Sequence, residues 1–139
     1  MKASLISILS ILLLISSCTS KENNYGDVYY QAVNGKDTAI LALKISEKRF
    51  FGRYEILYNK IGKDSGDVRG NIIGDTLRGD YHYISNGGNW KRVPLAFLKK
   101  DNNLIQGKGV IGTYMNLPCF FPGTLSYKNP DFVFEEISE

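Results

Sequence analysis

Asn71-Ile72-Ile73-Gly74-Asp75-Thr76-Leu77 sets two turn-forming residues between two apolar runs, and the fold is decided here. Glycine reaches φ > 0 without steric cost. Gly74-Asp75 therefore suits a two-residue type II′ or I′ turn, whose twist matches that of flanking antiparallel strands. The strand predicted to follow, 76–84, alternates strictly: Leu77, Gly79, Tyr81 and Tyr83 share one face, and Arg78, Asp80 and His82 the other. Such a period of two marks a half-buried strand, with the leucine and tyrosines inside and the charges in water.

The same pattern recurs on both sides. Upstream, 25–33 alternates in part and ends at Asn34-Gly35, while 38–46 carries Ala39, Leu41, Leu43 and Ile45 on one face. Phe50, Tyr54, Ile56 and Tyr58 share a side of 50–59, and a turn is expected at 62–66 before a strand at 68–73. Downstream, Asn86-Gly87-Gly88-Asn89 leads into 90–98, and the polar turn 100–103 leads into 104–111. A longer, Pro-containing segment, 117–130, precedes a final strand at 132–137.

No stretch sustains a 3.6-residue apolar repeat, so no crossover helix is available to join parallel strands. About eight strands joined mostly to their sequence neighbours form an antiparallel meander, and about eight is where such a sheet closes into a small barrel. Glycines within the strands, among them Gly52, Gly70 and Gly79, ease the strong coiling that closure needs. The expected class is all-β, a small closed barrel, with an open curved sheet or a two-sheet sandwich as the alternative.

The segment Gly70-Asn71-Ile72-Ile73-Gly74-Asp75-Thr76-Leu77-Arg78-Gly79-Asp80-Tyr81 reads G-x-I-x-G-D-x-L-x-G-x-Y. With Lys36-Asp37-Thr38-Ala39 before it and Phe97-Leu98-Lys99-Lys100 after it, the chain over 25–110 resembles small Gram-negative lipoproteins with lipocalin-like or calycin-like β domains. The resemblance implies a lipocalin-like barrel; many members of such families have no assigned activity. The G-x-W motif that true lipocalins place near their first strand is missing, because the single tryptophan is Trp90.

A second resemblance lies at the N-terminus. Lys2 supplies a positive charge, 5–15 is apolar, and Ile15-Ser16-Ser17-Cys18 follows. The apolar run is roughly half the ~20 residues that span a bilayer as a helix, which fits an export signal rather than a permanent span. Ile15-Ser16-Ser17-Cys18 resembles the lipobox of bacterial lipoproteins. That implies a signal peptide over 1–17 and a Cys18 that carries a thioether-linked diacylglyceryl group and further acylation such as palmitate. It also implies a lipidated N-terminus and polar tether at 18–24, followed by one β domain over 25–139. Thr19 stands where an inner-membrane retention signal would have Asp. The expected location is therefore the outer membrane of a Gram-negative bacterium, facing the periplasm or the cell surface.

Removal of 1–17 leaves about 122 residues, enough for one modest core. The precursor holds 17 Lys and Arg against 14 Asp and Glu, dispersed rather than clustered, so no nucleic-acid role is indicated. A lipidated Cys18 leaves Cys119 as a lone thiol, read among Leu117, Pro118, Phe120 and Phe121 as a small buried hydrophobe.

Catalytic constellations are thin. The one histidine, His82, rules out a His-based metal cluster and could join Asp80 in a triad only with a remote serine. No G-x-S-x-G elbow supplies that serine. Asp64, Asp67, Asp75 and Asp80 sit in or beside expected turns, and Asp64-Ser65-Gly66-Asp67 lacks calcium-loop spacing. No cofactor, metal or catalytic residue is expected.

Nine Tyr, seven Phe and one Trp are the stronger lead. Rings with polar tips at alternate strand positions can line a pocket for an apolar or sugar-like ligand. Tyr54, Tyr81, Tyr83 and Trp90 are the candidate binding residues. The apolar segment 116–129 is the candidate for plugging a barrel end or docking an envelope protein. The functional expectation is a non-enzymatic, membrane-anchored lipoprotein that binds a small ligand. Its alternatives are an envelope interaction module and, third, an envelope hydrolase using Asp80 and His82.

Overall fold

The computed structural model describes residues 26–138. The lipobox with Cys18, the tether and the start of the first expected strand at Tyr25 lie outside the described residues. Ten strands follow one another there with no helix between them: β1 (Val28–Asn34), β2 (Asp37–Ile45), β3 (Arg49–Tyr58), β4 (Gly62–Ile73), β5 (Thr76–Ile84), β6 (Trp90–Lys100), β7 (Asn103–Gln106), β8 (Ile111–Tyr114), β9 (Leu117–Phe120) and β10 (Val133–Ile137).

The hairpin at Gly74 forms as the sequence indicates. Ile73 pairs with Thr76 and Ile72 with Leu77, and Gly74 takes φ 59° while Asp75 stays at negative φ. Positive φ at the first central residue alone is the type II′ pattern. Three pairs further along, Gly70 faces Gly79. A Cβ on either would run into the carbonyl of the opposite strand, so the two backbones approach closely and the wall coils sharply here.

Consecutive pairing carries the sheet from β1 through β7, and β10 closes it between β7 and β1 into a barrel of eight antiparallel strands. The inward face is the apolar one. Leu41, Phe50, Tyr54, Val68, Phe97, Leu104 and Phe134 are each at most 1% exposed. The outward face carries Arg53, Glu55, Asp67, Arg69, Asp80 and Arg92, among which Arg53–Asp67, Arg69–Asp80 and Arg92–Asp80 pair from strand to strand. A transmembrane barrel has the reverse polarity, with an apolar band outside.

The direction of the strands distinguishes two ends. The start of β1, the end of β10 and the turns 46–48, 74–75 and 101–102 lie at what we call the near end. The turns 35–36, 59–61 and 85–89 lie at the far end.

Three local expectations are corrected. The turn expected at 62–66 is strand, and Asn59-Lys60-Ile61 makes the link instead, with Asn59 and Lys60 at φ 42° and 63°. Asp and Ser in 62–66 look like turn residues, but their side chains bond across strands, Ser65 to Glu55 and Asp64 to Tyr58. The strand expected over 104–111 stops at Gln106. There the chain leaves the barrel, its Gly107 N–H bonded to the Ala96 carbonyl at 2.8 Å. The Pro-containing segment expected at 117–130 opens with β9, which pairs with β8 in a separate two-stranded hairpin turned by Met115 and Asn116 at φ 50° and 62°. This excursion packs on the outer wall at β6 and buries Pro94 and Ala96, which the register points outward.

Candidate functional site

Three of the four candidate aromatics come together. Tyr54 on β3 and Tyr81 on β5 face inward with ring centroids 4.7 Å apart, and Tyr83 stacks on Tyr81 at 4.2 Å and 11°. Phe134 lies edge-on to Tyr54 at 5.7 Å and to Phe97 at 5.6 Å. Tyr54 and Tyr81 are 1% and 3% exposed, so their rings form a packed core rather than the wall of an open space. Edge-to-face and offset contacts of this kind add about 0.5–1.5 kcal/mol each beyond burial.

The polar tips are also engaged. The Tyr54 hydroxyl donates to Gln106 Oε1 at 3.1 Å, and the Tyr81 hydroxyl donates to the Tyr54 carbonyl at 3.0 Å. Burial pushes both phenols far above their ordinary range, and they stay neutral donors at any physiological pH.

At the far end, Tyr58 donates to Asp64 Oδ2 at 2.8 Å while the backbone N–H of Asn86 donates to Asp64 Oδ1 at 2.8 Å. One inward carboxylate thus ties the 85–89 turn to β3. Desolvation first, then the neighbouring carboxylate, raises the phenols of Tyr58 and Tyr83. The aspartate serves here as a structural acceptor.

Trp90 stands apart from this cluster. It faces outward at the start of β6, 63% exposed, with its ring 4.7 Å from that of His82. Arg92 is the direct cross-strand partner of His82, and Asp67 faces His82 from the other side. His82 is thus part of an outer-wall surface. Asp80, the other member of the weighed catalytic pair, lies two residues along the same face between Arg69 and Arg92, at 3.7 and 3.3 Å. Among the described residues no group of three or more His, Cys, Asp or Glu side chains is placed to hold a metal ion.

The excursion holds the apolar segment 116–129, which packs on the outer wall at β6 rather than in a barrel end, and adds the β8–β9 pairing that period counting missed. Between Lys108 and Lys128 no residue carries a charge. The β8–β9 hairpin within it leaves Ile111, Tyr114, Met115 and Leu117 exposed, Met115 at its turn by 80%. Cys119 is half-buried on β9 with a free thiol. The signal available in sequence was the lack of charge over this span rather than any strand periodicity.

The fold and these surfaces define a small up-and-down antiparallel barrel of lipocalin-like form, with a filled interior and one apolar projection. Comparison with known protein families, curated proteins and solved structures returns no match.

Proposed function

We propose that this chain is a lipid-anchored lipoprotein of the outer membrane whose barrel is a rigid stand, and that its function is non-enzymatic binding of an envelope protein through the β8–β9 projection. The observation that carries this reading is the contrast between a filled interior and an uncharged, exposed hairpin. Exposed apolar residues grouped on one element are costly to solubility and mark interaction sites. The complementary partner surface is apolar and uncharged, and the outer backbone edges of the two-stranded hairpin can extend its sheet by strand addition. Cys18 supplies the anchor, through the acyl chains that stable attachment requires.

The test is photocrosslinking in intact cells from Met115 and Leu117, with Val33, an exposed apolar residue on β1, as the control. A discrete adduct with a protein partner at the hairpin positions and none at Val33 is the expected result. Monomer alone at every position refutes it.

One observation favours a second reading, a sugar-like ligand. Trp90 offers an exposed ring beside His82, with Arg92 two residues along the same face, a platform on which a sugar ring can stack while the guanidinium takes its hydroxyls. Saturable quenching of Trp90 fluorescence by oligosaccharides, lost in Arg92→Ala, supports it; flat titrations across a broad glycan panel count against it.

A further inference from the structure

The near end carries a feature that neither surface above uses. On the outer wall Arg49 of β3, Asn71 of β4 and Arg78 of β5 are direct cross-strand partners in one row. Two guanidinium groups therefore flank one amide. The adjoining row adds Phe51, Arg69 and Asp80, and together the rows line a groove of about 440 Å³.

The charges in this groove do not cancel. Its one carboxylate, Asp80, already has Arg69 and Arg92 as partners. Arg49 and Arg78 have no carboxylate within ion-pair distance among the described residues. Lys48 precedes Arg49 in the adjoining turn, with Glu47 the acid beside it. Like charges gathered on one sheet face are unfavourable unless an anion lies between them. Guanidinium forks match phosphate oxygens two at a time.

Apolar side chains stand beside these cations. Phe51 in the groove is 57% exposed, and Ile73, two residues beyond Asn71 on the same face, is 71% exposed at the tip of the β4–β5 hairpin. Basic and apolar groups side by side are what binds an anionic membrane interface.

The path of the chain points to the same occupant. Gly26, the first described residue, leads into β1 at the near end. Residues 19–25 separate Cys18 from it, and the eight steps from Cys18 to Gly26 reach at most about 28 Å when fully extended. A lipid on Cys18 would therefore keep the near end within about 28 Å of the bilayer surface.

The geometry points to the near-end groove as a seat for an anionic phospholipid surface, with Arg49 and Arg78 taking a headgroup phosphate across Asn71 and with Phe51 and Ile73 entering the interface. This orientation rests on the lipid-anchor reading, whereas the binding itself does not. A chain that carries no lipid can therefore test the groove separately.

The experiment uses the chain from residue 18 with Cys18→Ser, which keeps every described strand, and sedimentation with vesicles. The expected result is co-sedimentation with phosphatidylglycerol-containing vesicles but not with phosphatidylcholine alone, weakened by salt. Arg49→Gln and Arg78→Gln should each weaken binding about fivefold, the worth of one basic side chain at an anionic surface. The far-end control Lys91→Gln should bind as the parent does. In a Trp90→Phe background, the fluorescence of Ile73→Trp should shift to the blue on the anionic vesicles.

Equal binding to both vesicle types overturns the inference, as does an arginine pair no weaker than Lys91→Gln. Binding abolished by millimolar inorganic phosphate at constant ionic strength assigns the groove to a free anion and also overturns it. An unlipidated Cys18, seen by mass spectrometry of the cellular protein, would count against the anchor alone and leave the vesicle result standing.

Discussion

The hydroxyl of Tyr81 on β5 donates to the backbone carbonyl of Tyr54 on β3, 3.0 Å away, across the inner face of the intervening β4. Strands that are not neighbours in the sheet are tied to each other through the interior. Tyr81→Phe keeps the ring and removes the bond, so it should cost about 1 kcal/mol, the net worth of a neutral hydrogen bond. Tyr54→Ala removes a buried ring and should cost roughly 3–5 kcal/mol. Urea unfolding followed by circular dichroism measures both.

The tyrosines also fix how stability varies with pH. Tyr30, Tyr54, Tyr58, Tyr81 and Tyr83 all have phenols raised above the ordinary 10.0, burial being the leading cause in each. Above about pH 10 the unfolded chain loses these protons while the folded chain keeps them, so rising pH favours unfolding. The stabilisation is complete below that value and is lost as pH climbs toward the folded-state values. The urea midpoint should fall above about pH 10, and ultraviolet titration should show most phenols ionising together with unfolding rather than before it. A smooth titration of all phenols near 10 in folded protein would contradict this.

Much of this interior was legible because alternation is a strong signal. Leu77, Tyr81 and Tyr83 fall on one face of β5 as read, and Tyr54, Ile56 and Tyr58 on one face of β3. The packing partners of those faces were not legible. Trp90 begins its strand with the same alternation, yet the register pairs it with Ile84 on the outer face. Burial pattern alone cannot give that phase where a strand starts with Trp90, Lys91 and Arg92. The β8–β9 hairpin escaped for a different reason: its turn uses Met115 and Asn116 at positive φ, where most sequences place glycine.

That outward placement of Trp90 has a measurable consequence. Trp90→Phe should change stability by no more than about 0.5 kcal/mol, as is usual for surface positions. Iodide should quench the native Trp90 fluorescence efficiently, in keeping with its 63% exposure. Protection from iodide would place the ring inside instead.

The Gly70–Gly79 contact yields a backbone prediction. Gly79→Ala places a Cβ against the Arg69 carbonyl, and overpacking of this kind costs about 1–3 kcal/mol. The strain should appear as a lower urea midpoint with an unchanged slope. A neutral substitution would mean that the wall is less tightly coiled at this pair.

A filled barrel leaves only its outer surfaces open to a ligand or partner. The most direct test is methyl NMR of the inward-facing Leu41, Val68, Leu95 and Leu104 during titration with fatty acids, other apolar ligands and oligosaccharides. The expected result is that these interior resonances stay fixed at every ligand concentration. Saturable shifts of the same methyl groups would show a ligand entering between Tyr54, Tyr81 and Phe134, and would contradict the account.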